Sequence, residues 1–526
     1  MTLVRIGCVM VLAFSLVAPA AAQTPAFVPV QTGAQMPVQV PAPDVRRLTV
    51  EEAVRLSLEN NLGIQVARID PQIQDLSVAE ARAAWSPTLT STLLGGGTDS
   101  PSNSFLSGAQ GTKTSDDRLG STFGIEQALP WGGSYNVGWD SVHSTTTNLF
   151  SNFSPQVRSS LAFTYRQPLL RGFGIDSARQ QVLVTEKNRE IADVSMRETI
   201  ALTSRAVRHA YWDLAYAIAS LDVQRQSRDL AAESLRNTRA RIEIGTTAPI
   251  DAIEAEAEMA QREEAVVLGE AEIATAEDAL RTLVYDPAAA NFWTLRIEPA
   301  DLPPFLPATV DTDAAMRNAL ERRSDLQQAR KNLESQDVNM RYSRNQTLPD
   351  VTASLDYGMT GLGGTQFVRG AGFPGPIIGQ SQRSFATVLG NLFGNDFPSW
   401  TASVNVSYPV GANPQEAALA RTRLQYSQQQ TQLRNAELQV MAQVREAGRQ
   451  VRTNQRRVET TAVSRQLSER RLEAEERKLA AGTTTSFFVF QAQRDLAQAR
   501  NNELRAIIDY HRSTVDFETV QEAPLR

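Results

Sequence analysis

The sequence predicts a mainly α-helical protein with a membrane β-barrel portion. Three observations carry this: a duplicated plan along the chain, two helical hairpins of great length, and alternating segments of outer-membrane type. Bulk composition hides the membrane part. The 526 residues include 52 Lys and Arg against 58 Asp and Glu, a net charge of −6, so nothing points to a nucleic-acid partner. Hydrophobic residues at 42% and charged residues at 21% exclude a disordered chain. Mean hydropathy is −0.29, and no internal run of about 18 apolar residues offers a membrane helix. Length alone would suggest roughly three or four domains; the repeat overturns that division.

Residues 1–22 read as a secretory signal peptide. Arg5 supplies the positive start, 6–17 the apolar stretch, and Ala20-Ala21-Ala22 the cleavage site before Gln23. The single Cys, Cys8, lies inside it with too short an apolar run before it for a lipoprotein. The mature chain is therefore expected to have no disulfide and no thiol chemistry. Residues 23–47 carry Pro25, Pro29, Pro37, Pro41 and Pro43 and read as an extended linker.

The repeat organises the rest. Residues 53–68 (AVRLSLENNLGIQVAR) align with 315–330 (AMRNALERRSDLQQAR), and the register runs unbroken to Pro87 and Pro349. Further on, Gly245-Thr246-Thr247 corresponds to Gly482-Thr483-Thr484. A repeated plan is one unit used twice. The first copy is expected over 48–310, with strands at about 88–166, a helical hairpin at 174–284 and an equatorial segment at 285–310. The second is expected over 311–526, with strands at about 350–408 and a hairpin at 414–520.

Each copy opens with a short helix; Thr49, with Glu52 three residues on, makes a capping box in the first. A second helix runs to about Trp85. The long helices, 174–244 and 414–481, would each be on the order of 100 Å at 1.5 Å per residue. Val207, Tyr211, Leu214, Ile218 and Leu221 follow heptad spacing, as do Leu433 and Val440, and Val444, Val451 and Val458. Antiparallel coiled-coil hairpins follow, with Ala-rich return helices at 249–283 and 485–520. Gly245 and Gly482 stand where a helix end needs a left-handed residue.

Between helices the pattern alternates. Phe123 and Ile125; Tyr135, Val137 and Trp139; Leu161, Phe163 and Tyr165; Val351, Ala353, Leu355, Tyr357 and Met359; and Ala402, Val404, Val406 and Tyr408 each share one face. Short alternating runs between Gly/Ser/Asn-rich loops are the mark of transmembrane β-strands. The strands are expected at 88–94, 121–129, 133–142, 159–166, 350–359 and 400–408. So few cannot close a barrel with a lumen, and open edges are not tolerated in lipid. Copies of the chain must share one barrel, most economically with cyclic symmetry. Each copy gives four strands if the 121–142 hairpin stands outside the wall, and six if it stands within.

These residues resemble the TolC family of outer-membrane efflux proteins. The likeness covers 48 to about 520. Its markers are the paired starts LTVEEAVRLSLENN and DTDAAMRNALERRSDL, the strand exits YRQPLLRGFG and SYPVGANP, and the tips RIEIGTTAPIDAIEAEAE and KLAAGTTTSFFVFQAQRDL. The resemblance implies a trimer in the outer membrane, with four strands per chain and helices forming a periplasmic α-barrel. It implies a periplasmic adaptor and an inner-membrane transporter as partners. It places adaptor docking at Ile244, Gly245, Thr246, Thr247, Ala481, Gly482, Thr483 and Thr484. It also implies a gate just past the tips, at Asp251 in the first copy and at Phe488 and Gln491 in the second. An Asp ring would favour cations; a Phe488 ring would constrict by apolar contact. The bland alternative is that Phe487, Phe488 and Phe490 pack the hairpin.

No catalytic or cofactor motif appears: no G-x-S-x-G, no P-loop and no H-E-x-x-H. His143, His209 and His511 lack metal-ligand spacing, and Glu263-Glu264 and Glu475-Glu476 read as solvated faces. No enzyme, metal or cofactor is expected. Two other readings are a structural or adhesive coiled-coil protein, favoured by the Gly-rich segment 361–395, and a periplasmic adaptor subunit. Neither has a use for the duplicated strand–helix–tip plan. The cargo is not written in the chain.

Overall fold

The computed structural model describes residues 45–104, 107–109, 111–246, 248–300, 305–307 and 309–522. The signal-peptide assignment and most of the linker lie outside these residues. In chain order the elements are β1 (Val45–Leu48), α1 (Val50–Asn60), α2 (Leu62–Arg82), β2 (Thr88–Pro101), β3 (Lys113–Ala128), β4 (Ser134–Thr146), β5 (Phe153–Pro168), α3 (Ser177–Glu243), α4 (Ile250–Val284) and β6 (Arg296–Pro299). Then follow α5 (Thr312–Arg322), α6 (Ser324–Gln346), β7 (Asp350–Arg369), β8 (Ile377–Arg383), α7 (Phe385–Phe393), β9 (Pro398–Ser407), α8 (Pro414–Ala480) and α9 (Ser486–Val520).

The duplication is visible in dimensions. α3 and α8 have 67 residues each, α4 and α9 have 35 each. In both copies two short helices lead into the sheet, and a long helix leaves it. α4 and α9 fold back along one stretch of α3 and α8; α2 and α6 cover another. Capping explains where these helices start. At Thr49 the capping box is complete: its hydroxyl accepts from the Glu52 amide and the Glu52 carboxylate accepts from the Thr49 amide. α3 begins later than the sequence suggested because Asp176 caps it, accepting from the Arg179 amide at 2.7 Å. Such a cap contributes about 1 kcal/mol.

The core sits mid-length, where the heptad seam predicts it. Val207, Tyr211, Leu214 and Leu221 are buried, as are Val440, Val444, Val451 and Val458, whereas Ile218 is exposed at 36%. Tyr211, Leu214, Leu280, Val284, Ile297 and Ile508 form one cluster with Leu48. Here the linker expectation is corrected. Its last residues, 45–47, belong to β1, which pairs in parallel with β6. The Tyr211 hydroxyl donates to the Leu48 carbonyl at 3.0 Å. Leu48 is 1% exposed, and burying it anchors the strand.

The sheet corrects more. Its order is β2-β3-β4-β5-β7, with β8 and β9 both on the far side of β7 in separate stretches. β3 and β4 are therefore central, so the 121–142 hairpin lies within the sheet and not beside it: β3 pairs β2 from Glu126 to Lys113, and β4 pairs β5 from Ser134 to Ser144. The strands also run well past the expected ends, to Pro101 and Arg369. Gly95, Gly96 and Gly97, which look like loop, pair with Leu119, Arg118 and Asp117 because a ladder needs only backbone groups. The Gly-rich segment 361–395 is not a loop either. It holds the end of β7, all of β8 and the apolar helix α7.

Candidate channel wall and helical tips

Neighbouring residues in a strand point to opposite faces, so the register fixes what each face of the sheet carries. One continuous row reads Leu89, Ile125, Val137, Phe163, Tyr357, Trp400 across β2, β3, β4, β5, β7 and β9. The next reads Ser91, Phe123, Trp139, Leu161, Met359, Pro398. The opposite face carries Glu126, Asn136, Thr164, Asp356 and Thr401 in one row. Leu89, Leu93, Trp400, Val404 and Val406 stand exposed, and Phe123 stacks on Trp139 at 5.6 Å. An apolar face across all six strands backed by a polar one suits a wall between lipid and water.

At the other end of the long helices the two copies make the same turn. Gly245 and Gly482 have φ of +79° and +70°, a region that costs a non-glycine residue about 1–2 kcal/mol. The Gly245 amide donates to the Ile242 carbonyl and the Thr246 amide to the Arg241 carbonyl, both at 2.9 Å. In the second copy Gly482 donates to Leu479 at 3.1 Å and Thr483 to Lys478 at 3.0 Å. Both are Schellman closures. Thr246 and Thr483 repeat the bond with their hydroxyls, to the same two carbonyls. That accounts for the Gly-Thr pair in both tips.

Ile244 is exposed at 74%, and Ile250 and Ile253 are exposed beside it. Gly245, Thr246, Ala481, Gly482 and Thr483 are exposed and Thr484 half-buried; Thr247 lies outside the described residues. The tips flank one cleft of about 680 Å³, lined among others by Arg241, Asp251, Glu476, Thr484 and Gln493. Partial desolvation, with the Glu233 and Glu473 carboxylates nearby, pushes the Glu476 carboxyl above its ordinary value. Glu475 is held low, chiefly by Lys478 at 2.8 Å. Glu263 and Glu264 are on an exposed face.

Of the gate candidates, Asp251 is half-buried in this cleft and Gln491 half-buried on α9. The three phenylalanines separate. Phe490 is buried in the hairpin, whereas Phe487 and Phe488 are both exposed and meet edge to face at 5.5 Å. Packing thus accounts for Phe490 and leaves the other two free. Sequence reasoning missed Glu258, on α4, which is buried and ties the two hairpins together. Its carboxylate accepts from Arg262 at 2.6 Å and, across the repeats, from Arg494 of α9 at 3.0 Å. Only the run of acids in IDAIEAEAE hinted at it.

No described helix is long and apolar enough to cross a membrane. A sheet of this polarity joined to paired helical hairpins of this length defines the fold of an outer-membrane channel. The chain belongs to the outer membrane efflux protein family, whose model matches residues 53–284 and 315–518. It is a transport family, located in the outer membrane. Solved structures agree on the fold. The outer-membrane channel OprN matches at 16% identity and TM-score 0.64, over 95% of this chain and 98% of that one. The Campylobacter jejuni CmeC outer membrane channel matches at 14% and 0.63, over 90% and 85%. The open state of the Neisseria gonorrhoeae MtrE channel matches at 15% and 0.58, over 90% and 88%. No curated protein matches the chain significantly.

Proposed function

We propose that three copies form the outer-membrane duct of a tripartite efflux or type I secretion system, passing substrate from an inner-membrane pump and periplasmic adaptor to the exterior. The observation that carries this is the seven-stranded sheet with one apolar and one polar face, joined to two equivalent hairpins. Among the described residues its free edges are β2 on one side and β9, with β8 further along, on the other, and such edges are untenable in hydrocarbon. β2 and β9 run in opposite directions, so β9 of one copy can pair antiparallel with β2 of the next. With six strands through the wall per copy, the ring has 18 strands rather than the 12 that four per chain would give. Barrel diameter grows roughly linearly with strand number, so the mouth is about 1.5 times wider.

In this reading Ile244, Gly245, Thr246, Thr247, Ala481, Gly482, Thr483 and Thr484 meet the adaptor. The exposed Ile244 supports that. Asp251, Phe488 and Gln491 then constrict the periplasmic end. The test is heat-modifiable migration of membrane extracts and conductance of the purified protein in planar bilayers. A heat-sensitive trimer with a conducting pore is expected. A soluble monomer would end the channel reading, and a 12-stranded ring seen by electron microscopy would end the strand count.

A further inference from the structure

α7 (Phe385–Phe393) leaves the wall between β8 and β9 and lies back on β7 and β5. The face it covers is fixed by register. β7 pairs with β5 without a break from Thr352 to Gly364, so Gly361 and Gly363 point the same way as Leu355, Tyr357 and Met359. That is the apolar face. A Cβ on Gly361 would run into the Val388 carbonyl, and one on Gly363 into the Val388 side chain; the two glycines make the trough in which α7 sits. Along this face the apolar rows thin out at that height. The row Leu93, Ser121, Ser141, Ser159, Gly361 is mostly small and polar, and Ser159 is fully covered.

The helix is built for an apolar medium. Val388 and Leu392 turn inward and are fully buried, while Phe385 is 46% and Phe393 72% exposed. No charged residue occurs from Ser384 to Asn395. Asn395, at φ 59°, closes the C-terminus: its amide donates to Leu392 at 3.2 Å and that of Asp396 to Asn391 at 3.1 Å. With the Gly394 amide on Gly390 at 2.7 Å, the Gly390, Asn391 and Leu392 carbonyls are satisfied within the turn, which lowers the cost of placing that end in hydrocarbon. The Tyr357 hydroxyl donates to Asn395 at 2.9 Å and fastens the end to the wall. At about 3.3 Å per residue and a tilt near 40°, the rows from Leu355 to Gly363 span about 20 Å, inside an apolar band of about 25 Å.

We propose that α7 is a lipid-facing helix mounted on the outside of the barrel, its occupant the acyl chains of the outer leaflet. It continues the apolar band where the strands no longer supply it. This rests on the barrel reading above, so the experiment separates the two. In a Cys8→Ser background, Phe393→Cys, Val404→Cys and Asn103→Cys are each labelled with a polarity-sensitive NBD probe and reconstituted in phospholipid vesicles. Doxyl groups on the acyl chains and aqueous iodide serve as quenchers. Position 404 reports the wall and exposed Asn103 the water. Acyl-chain quenching at 393 is expected to match 404 within about twofold and to exceed 103 severalfold. If 393 follows 103 while 404 reports lipid, the inference is overturned and the barrel stands. Shielding of 393 from both quenchers would mean a neighbouring copy covers the helix, and also overturns it. If 404 too is quenched only from water, the barrel reading falls and takes the inference with it.

Discussion

Arg494→Ala tests whether the link between the hairpins holds the tips together. Glu258 is only 5% exposed and has two cationic partners, Arg262 on its own helix and Arg494 on α9. Deleting one partner of a buried pair costs about 3–5 kcal/mol. Two features reduce that here. Arg494 is 42% exposed, so water already screens it, and Arg262 remains to satisfy one carboxylate oxygen. About 1–2 kcal/mol is left for the bond between α4 and α9. Since 1.4 kcal/mol is tenfold in an equilibrium, undocked tips become about tenfold more populated. Hydrogen exchange should quicken in α4 near Glu258, and single-channel conductance in planar bilayers should rise. Glu258→Gln should do the same, because it removes the charge both arginines share. Unchanged exchange and conductance in both variants would refute the argument.

Phe488→Ala should raise single-channel conductance if the exposed ring narrows the duct; buried Phe490→Ala should instead cost about 3–5 kcal/mol of stability, read as a lower melting temperature. Gly245→Ala or Gly482→Ala should each destabilise a tip by about 1–2 kcal/mol, and adaptor binding measured by surface plasmon resonance should weaken for both. The fourth concerns pH. Lys187, Glu190, Lys331 and Glu334 alternate in a ring between α3 and α6, with contacts of 2.7 to 3.3 Å. Glu334 chiefly holds Lys187 above its ordinary value, and Glu190 does so for Lys331. Lys331 and Lys187 in turn hold Glu190 and Glu334 low. The carboxylates stabilise the fold above their unfolded value and cease to as pH falls through the lower folded one. The lysines stabilise below their unfolded value and cease to as pH rises through the higher folded one. α3–α6 docking should thus be firm between about pH 5 and 10 and loosen outside it, by only about 0.3–1 kcal/mol per partly exposed pair. Thermal melts across pH check this, with Lys187→Met flattening both limbs.

The parts of this fold legible in the sequence are those that local chemistry dictates. Thr49 with Glu52 announces a capping box, and the box forms. Gly-Thr in both tips announces a left-handed closure, and both close alike. Val444, Val451 and Val458 are buried at their heptad spacing. What escaped depends on partners far along the chain. Gly95 to Gly97 look like loop until β3 lies beside them. Phe487, Phe488 and Phe490 look alike until the hairpin buries one of them. FATVLGNLF sets Thr387 and Asn391 on one side, and nothing local says that Val388 and Leu392 are the pair buried against the strands while Phe385 and Phe393 stay exposed. Glu258 looks like its acidic neighbours until Arg494 arrives from the other copy.

The matched lengths of the helices have a mechanical meaning. α3 and α8 follow strands of the same sheet and have the same number of residues, and both turns line one cleft. Three copies would then present six tips as a level rim, a flat seat for whatever presses against it. Levelness has a fine tolerance, since each added residue lowers one tip by about 1.5 Å. Lengthening α8 alone by a heptad, with α9 extended to match, would drop every second tip by about 10 Å. Lengthening both copies together would keep the seat level and merely move it.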